Sequence, residues 1–321
     1  MPTDSSADSS EPPDLDAALA AVEREYDCTV LAARDTGSRA WGLSDRDSDY
    51  DVTVLFRQPA VAYATLGESV ATIETEYGDD LELTGWNVSR FAELLVESNP
   101  SALEFLHSPR RYREFEPLAA LEADVGESFE PIALYHHFRS LADRQYHKYL
   151  ERRLLEDGHP AYVVVDETDD EWICVPGDAD SAAGPAADSD LQHLPKTDGH
   201  LELGACDQTV KRTLYVVRAV LYARYIRDRH RFPTLDFPAF LDEIAAGDPD
   251  IASASVVERT RDLVRRKRAG EGDAVVGQVF TAAELSLPSK IPPATHAVGG
   301  IATARVNEFV RASFATEKPS E

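Results

Sequence analysis

The alternation of apolar and polar positions predicts that the chain begins with a helix followed by two strands joined by a loop. Apolar side chains follow the expected N-cap, Asp14, at helical spacing: Leu15, Ala18, Leu19, Val22 and Tyr26. Residues 29–33 and 52–56 are short apolar runs of the kind that form buried strands. The polar stretch between them is rich in Gly, Ser and Asp and predicts a long loop.

Farther along the chain, the pattern predicts more strands and then mostly helices. Residues 70–75 alternate weakly, and residues 81–83 follow a turn at Gly78. Helical spacing recurs in the segments 89–97, 102–107, 132–156, 207–229, 237–246, 256–268 and 300–314. Residues 157–205 are rich in Asp, Ala, Gly and Pro. We interpret them as an exposed acidic insertion in which residues 161–176 form a hairpin.

These elements predict an α+β fold, in which a small mixed β-sheet is followed by a helical C-terminal domain. With 321 residues, of which 43% are hydrophobic, the chain can form two cores and is not a disulfide-stapled mini-protein. The expected parts are a disordered tail at 1–13, a first domain at 14–125, a helical domain at 126–270 that carries the insertion 157–205, and a C-terminal loop and helix at 271–321.

The charge balance is strongly acidic. The chain has 58 Asp and Glu residues against 32 Lys and Arg residues, a net charge of −26 at pH 7, and only six of the basic residues are lysine. This composition resembles that of proteins from salt-accumulating halophiles, and we expect a halophilic archaeal source. The whole chain lacks the basic footprint of nucleic-acid-binding proteins. In molar salt the Debye length is about 3 Å, so the net charge does not exclude a local RNA site.

The sequence shows neither a membrane segment nor a cysteine framework. No run of about 18 uncharged apolar residues occurs, and the N-terminal stretch has no apolar leader region, so we expect a cytoplasmic protein. The spacing of Cys28, Cys174 and Cys206 suits neither a disulfide framework nor a CxxC metal site. We expect buried thiols.

Candidate chemistry is concentrated between the first two strands. Gly37 and Ser38 are small residues in a turn, where backbone N–H groups approach a triphosphate closely. Ten residues separate Ser38 from Asp49. Asp49 and Asp51 stand at i and i+2 of a predicted strand, so their carboxylates share one face, which suits Mg²⁺, while Tyr50 points away.

This arrangement resembles the DNA polymerase beta nucleotidyltransferase superfamily, whose pattern is Gly-Ser, about ten residues, Asp-x-Asp and an apolar strand. Three later segments, at 85–112, 135–150 and 210–226, resemble its RNA repair pathway branch. The resemblance covers residues 30–270 and implies a polymerase beta-like fold. It departs from the family at Asn87, where Asp is common, and at Phe105, where Trp is common.

The resemblance implies a third carboxylate on a later strand. Glu82, between Leu81 and Leu83, fits that pattern, although the family more often has Asp there. Glu74 remains an alternative because it lies in a similar strand context, and Glu76 is a further alternative because it is near. By the resemblance, Asp49, Asp51 and the third carboxylate hold Mg²⁺ or Mn²⁺, and Glu82 is also the candidate base.

The implied reaction is metal-dependent transfer of a nucleoside monophosphate from a nucleoside triphosphate to an acceptor hydroxyl, with release of pyrophosphate. Gly37 and Ser38 would hold the phosphates, with Arg39 as a further partner. The basic face of a later helix could reach the triphosphate or an RNA end, or could be paired with surface acids. Its candidate nucleotide-binding residues are Lys211, Arg212 and Tyr215.

By resemblance, the acceptor is an RNA 3′ end in RNA repair. Two alternatives stay open at this point. One is an enzyme that modifies a protein hydroxyl, by adenylylation for example, and the other is a nucleotide-binding sensor that has lost turnover. Three retained carboxylates favour an enzyme, because nucleotide binding alone does not require them.

Overall fold

The structure is a computed structural model that describes residues 12, 14–67, 69–125, 128–177, 191–204, 208–247, 250–288 and 290–315. Residues 1–11 and 13 of the predicted tail, residues 178–190 of the predicted insertion, and Cys206 lie outside the described residues.

The described residues form both strands and helices, so the fold is α+β as predicted. The strands are β1 Thr29–Asp35, β2 Tyr50–Arg57, β3 Thr72–Tyr77, β4 Leu81–Asn87, β5 Arg111–Arg113, β6 Arg152–Glu156, β7 His159–Glu167, β8 Glu171–Pro176, β9 Gln192–Pro195 and β10 Leu201–Leu203. The helices are α1 Leu15–Glu25, α2 Ala60–Ala64, α3 Val88–Val96, α4 Pro100–His107, α5 Glu116–Val125, α6 Pro131–Tyr149, α7 Val210–Arg229, α8 Phe237–Gly247, α9 Ala254–Arg268, α10 Ala282–Leu285, α11 Pro293–Ala297 and α12 Thr303–Ala315.

The chain divides into two compact units. The first contains Met1–Leu134, Asp228–Phe240 and Pro292–Glu321, and the second contains Tyr135–Arg227 and Leu241–Ile291. In the part of the chain that the structure describes, no helix is long and apolar enough to cross a membrane.

The first unit is built on a five-stranded sheet with the order β3-β4-β2-β1-β5. Strands β2 and β4 are parallel, whereas the other neighbours are antiparallel. The sequence correctly predicted β1, β2 and β4 and placed β3 two residues too early. Strand β2 is buried along almost its whole length, as expected for a central strand.

One face of this sheet packs against α1. Apolar side chains alternate along the strands and meet the apolar stripe of the helix; the buried cluster includes Leu15, Leu19, Val22, Tyr50, Val52, Val54, Phe56, Leu81 and Leu83. The predicted capping by Asp14 is wrong. Asp14 has φ 62° and its side chain makes no capping hydrogen bond, because a capping side chain reaches back from extended backbone, not left-handed backbone.

The opposite face carries an aromatic cluster that fixes α3 and α4. Trp86 of β4 stacks near Phe91 of α3, and Phe105 of α4 meets both rings edge-on at 6.2 and 5.4 Å between centroids. Asn87 begins α3 by accepting a hydrogen bond from the Arg90 N–H at 2.8 Å. This side chain therefore has a structural role in capping the helix.

The second unit contains a five-stranded antiparallel sheet with the order β10-β6-β7-β8-β9. Of this sheet the sequence predicted only the hairpin of β7 and β8. The predicted helix 132–156 is wrong at its C-terminal end, because 152–156 is strand β6. Asp157 and Gly158 both have positive φ, 51° and 81°, the type I′ geometry that joins two antiparallel strands.

The cysteines that the structure describes are free thiols. Cys174 is buried in the second sheet, as predicted, and Cys28 is half-buried beside α1. Burial raises the pKa of Cys174 to about 11, so the thiol stays protonated near neutral pH.

Candidate active site

Two carboxylates stand side by side on the central parallel strands of the first unit. Asp51 of β2 and Glu82 of β4 are register partners. Because residues at the same register position of adjacent strands point to the same face, the two carboxylates share the face opposite α1. Asp49 lies just before β2 and is exposed, whereas Asp51 is half-buried. The strand pairing thus gathers residues that the sequence spaces far apart.

Asp51 packs directly against the backbone of the Gly-Ser turn. A Cβ atom added to Gly37 would lie 1.6 Å from Asp51 Oδ2, so no other residue fits there without displacing the carboxylate. The backbone N–H of Ser38 interacts with the Asp51 carboxylate and lowers its pKa. The Thr36 N–H donates to the Asp51 carbonyl at 2.9 Å. These contacts hold the turn and the carboxylate together.

A further carboxylate, Asp35, organises the same turn and was missed by the sequence analysis. Its Oδ1 accepts hydrogen bonds from the Gly37 N–H at 2.9 Å and the Ala40 N–H at 3.2 Å. Its Oδ2 accepts from the Tyr112 hydroxyl at 3.3 Å. Asp before Thr-Gly is a signal for an Asx-type turn, and that signal could have identified this residue.

The loop N–H groups are therefore occupied in a way that the sequence did not predict. The N–H groups of Gly37 and Ala40 donate to the Asp35 carboxylate, and those of Trp41 and Leu43 donate to loop carbonyls at 3.1 and 2.8 Å. A phosphate held at this turn would be met by the half-exposed Ser38 side chain. The part played by Gly37 in this structure is steric.

The clustering of negative charge changes the acidity of these groups. Burial, followed by the charges of Asp35, Glu82 and Asp49, raises the pKa of Asp51 to about 6, against the opposing hydrogen bond from Ser38. Burial also raises the pKa of Asp35. Both shifts show that the protein holds carboxylates where negative charge is unfavourable, and a cation would offset that cost.

Three threonine hydroxyls line the sheet beside the carboxylates. The Oγ1 atoms of Thr36 and Thr53 are 2.8 Å apart, and those of Thr53 and Thr84 are 3.1 Å apart. Thr53 lies two residues after Asp51, and Thr84 two residues after Glu82, so they share the carboxylate face. These hydrogen bonds connect β2 and β4 two residues after Asp51 and Glu82.

The alternative third carboxylates lie farther from Asp51 in the sheet. Glu76 pairs with Glu82 and Glu74 pairs with Thr84, so both belong to the edge strand β3, one strand beyond β4. The Asn87 position, where relatives commonly have Asp, pairs with Phe56 at the other end of β2.

Arg39 stabilises the loop in this structure. Its side chain is buried, and its guanidinium donates to the carbonyls of Ser48 at 2.7 Å and Asp49 at 3.3 Å. It also stacks on the Tyr50 ring at 3.7 Å from the centroid. The guanidinium thus fixes the backbone that leads into Asp49 and Asp51. Its contact with a phosphate stays a prediction.

The other predicted nucleotide-binding residues belong to the second unit. Lys211, Arg212 and Tyr215 lie in the first two turns of α7. The Lys211 ammonium is 6.0 Å from the centroid of the Tyr215 ring. Their role in nucleotide binding stays a prediction.

The donor chemistry of the first site fits a magnesium ion that substrate helps to bind. In the described residues, no three His, Cys, Asp or Glu side chains are grouped closely enough to hold a metal ion by themselves. Mg²⁺ commonly takes one or two protein carboxylates and completes its shell with water and substrate phosphates. Asp51 and Glu82 supply two carboxylates of this kind, and the charge of Asp49 also acts on Asp51.

The contact between Gly37 and Asp51 predicts the effect of one added methyl group. We expect Gly37→Ala to lower the free energy of unfolding by about 1–3 kcal/mol, because the Cβ overlaps the Asp51 carboxylate. Urea denaturation followed by circular dichroism measures this change. Gly299→Ala is the matched control, since nothing lies within 4 Å of a Cβ there. Equal stability of the two variants would contradict the observed packing.

Comparison with known proteins connects this site to a family. A sequence model described as "RNA repair pathway DNA polymerase beta family" matches residues 13–292. The uncharacterized protein YcgL of Bacillus subtilis (strain 168) is 24% identical over 254 residues, which cover 79% of this chain and 75% of that protein. A solved nucleotidyltransferase-like protein from Exiguobacterium sibiricum 255-15 covers 80% of this chain and 73% of its own, with 10% identity and a TM-score of 0.26.

The family match includes the Gly-Ser turn, the Asp-x-Asp strand and the later segments that carried the sequence resemblance, which is therefore confirmed. It spans most of both units of the structure. The chain belongs to the RNA repair pathway DNA polymerase beta family and is a polymerase beta-like nucleotidyltransferase.

Proposed function

We propose that this nucleotidyltransferase moves a nucleoside monophosphate from a nucleoside triphosphate to the 3′ hydroxyl of an RNA, with a divalent cation bound by Asp49, Asp51 and Glu82. The observation that carries the proposal is the register pairing of Asp51 with Glu82 next to the Gly37–Ser38 turn. An RNA acceptor is supported by the family description, which refers to RNA repair.

The reaction balances as a single displacement at phosphorus. The acceptor oxygen forms a bond to the α-phosphorus, and the bond from that phosphorus to the oxygen bridging to the β-phosphate breaks. Pyrophosphate leaves, and we assign the hydroxyl proton to the carboxylate of Glu82. Because phosphoryl transfer requires little covalent participation from the protein, positioning and charge neutralisation supply most of the rate enhancement.

Each residue of the site has a distinct part in this proposal. Asp51 is fixed by Gly37 and Ser38, so its carboxylate keeps one position during the reaction. The Ser38 hydroxyl donates to a phosphate oxygen of the departing pyrophosphate. Asp49 is exposed and can approach the incoming triphosphate without a cost in burial. When bound, Mg²⁺ or Mn²⁺ supplies positive charge to the phosphate oxygens.

The experiment that tests this function follows α-labelled nucleotide. Purified protein is incubated in potassium chloride with Mg²⁺ or Mn²⁺, each of the four labelled triphosphates, and RNA bearing a free 3′ hydroxyl. We expect label in RNA. RNA whose 3′ end is blocked serves as the control for the acceptor group. Label in protein would replace the RNA acceptor with a protein hydroxyl, and triphosphate binding without transfer would indicate a sensor.

We expect Asp51→Asn and Glu82→Gln each to lower the transfer rate about 1,000-fold, because each substitution removes a negatively charged ligand of the proposed cation. Asp51 is crowded by like charges, so at neutral pH the unfolding midpoint of Asp51→Asn should equal or exceed that of the unsubstituted protein. Single-turnover kinetics and thermal unfolding measure the two effects. Glu74→Gln is the matched control, and full activity is expected. Full activity of Asp51→Asn or Glu82→Gln would contradict the assignment.

Removal of divalent cations should abolish transfer, and Mg²⁺ or Mn²⁺ should restore it. The same ions should raise the unfolding midpoint in the presence of triphosphate, because a ligand that binds only the folded state stabilises it. This increase should be lost in Asp51→Asn, which keeps the shape of the side chain and removes its charge. Transfer that persists after exhaustive dialysis against a chelator would contradict metal dependence.

A further inference from the structure

One end of the second unit combines cations with an aromatic ring. Lys148 and Tyr149 are the last residues of α6, and Arg212 lies in the first turn of α7. The Lys148 ammonium and the Arg212 guanidinium are each 4.8 Å from the centroid of the Tyr149 ring. Lys211 precedes Arg212 and is exposed. We call these four residues the α6–α7 patch.

The patch stands on a fixed backbone. The Val210 N–H donates to the carbonyl of Ala274 at 3.0 Å, and the Lys211 N–H donates to that of Gly272 at 2.8 Å. The start of α7 is therefore tied to the loop that follows α9. Because two helix ends carry the patch, its cations are placed by secondary structure and not by a mobile loop.

Two of its cations differ from several ion-paired basic residues of this unit. Lys196 pairs with Glu167 at 2.9 Å, and Arg266 pairs with Glu271 at 2.8 Å. Lys148 and Lys211 are exposed and form no ion pair with any residue that the structure describes. In a chain with a net charge of −26, the charges of these two lysines are therefore not cancelled by a direct ion pair, and they make the potential at this end of the unit more positive.

Helix stability does not account for this arrangement either. The first turn of α7 carries Lys211 and Arg212 and no acidic residue. Cations at a helix N-terminus face the positive end of its dipole, where they are unfavourable. The hydrogen bond and charge of Lys148, together with the charge of Arg212, lower the pKa of the Tyr149 hydroxyl. The ring therefore lies in a positive local potential.

We propose that the α6–α7 patch binds the single-stranded end of the acceptor RNA. Lys148, Lys211 and Arg212 contact successive phosphates, and a base stacks on the layer formed by the Tyr149 ring and the Arg212 guanidinium. Sequence-tolerant binding of single strands commonly combines these two components, a cationic track and an aromatic platform. The proposal rests on the proposed function for its partner, and on the geometry of the second unit for its location.

The test measures RNA affinity separately from catalysis. Fluorescence anisotropy follows a 5′-labelled single-stranded RNA of about twelve nucleotides bound to the full-length protein over a series of potassium chloride concentrations. Lys148→Glu should weaken binding and reduce the salt slope by about one. Tyr149→Ala should weaken binding about tenfold, and Tyr149→Phe should keep the affinity of the unsubstituted protein.

Lys290→Glu is the matched control for charge. Lys290 is an exposed lysine of the same unit, and Pro288 nearby accepts a hydrogen bond from the Tyr135 hydroxyl at 2.7 Å. Tyr135 is near the opposite end of α6 from Tyr149, about 21 Å away along the helix axis. This variant should bind RNA as the unsubstituted protein does.

The outcomes separate the patch from the catalytic proposal. Equal RNA affinity of Lys148→Glu, Tyr149→Ala and the unsubstituted protein would overturn the patch, as would a failure of the unsubstituted protein to bind RNA. Binding that depends on the patch, without any nucleotide transfer, would contradict the proposed function and leave the patch in place. Unfolding midpoints show whether the Tyr149→Ala variant is folded. If that variant is unfolded, the RNA affinity of Lys148→Glu decides the test, because Lys148 is exposed.

Discussion

The packing of the Asp51 carboxylate against the backbone at Gly37 is the constraint on which the candidate site depends. There is no space for a side chain at Gly37, and the N–H of Ser38 lowers the pKa of the carboxylate. This contact fixes the turn relative to β2, and the pairing of β2 with β4 then places Glu82 beside Asp51. Asp35 stabilises the same turn by accepting hydrogen bonds from the backbone N–H groups of Gly37 and Ala40. The site is thus assembled from backbone geometry before any substrate binds.

This assembly concentrates negative charge at a cost to stability. Asp35 and Asp51 are both removed from water, and the pKa of each is raised. Folded proteins keep such unfavourable groups mainly where they serve a function. In the proposed reaction, a cation and the hydrogen-bonded turn offset the repulsion. In our proposal for the α6–α7 patch, the cations of the second unit attract a polyanion locally to an otherwise acidic chain.

The sequence revealed the parts of the site that depend on local spacing. The Gly-Ser turn and the Asp-x-Asp strand lie close together in the chain, so β1, β2 and their loop could be predicted from pattern. The proximity of Asp51 and Glu82 depends on the direct parallel pairing of β2 with β4, two strands that β3 separates in the sequence, and only the family resemblance pointed to it. Asp35 was missed because, among 58 acidic residues, its hydrogen bonds to the following turn are not visible in composition.

In the second sheet too, local spacing in the sequence was not sufficient to predict the structure. The helical spacing of α6 continues past Tyr149 in the sequence, but the Asp157–Gly158 turn pairs β6 with β7, so the chain forms a strand there.

In the proposed function, the carboxylates and the Gly-Ser turn bind one and the same substrate. A crystal structure with Mg²⁺ and a non-hydrolysable triphosphate tests it most directly. We expect a cation between Asp51, Glu82 and the α-phosphate, with Ser38 on the remaining phosphates. A triphosphate bound away from these carboxylates would show that they do not form its site.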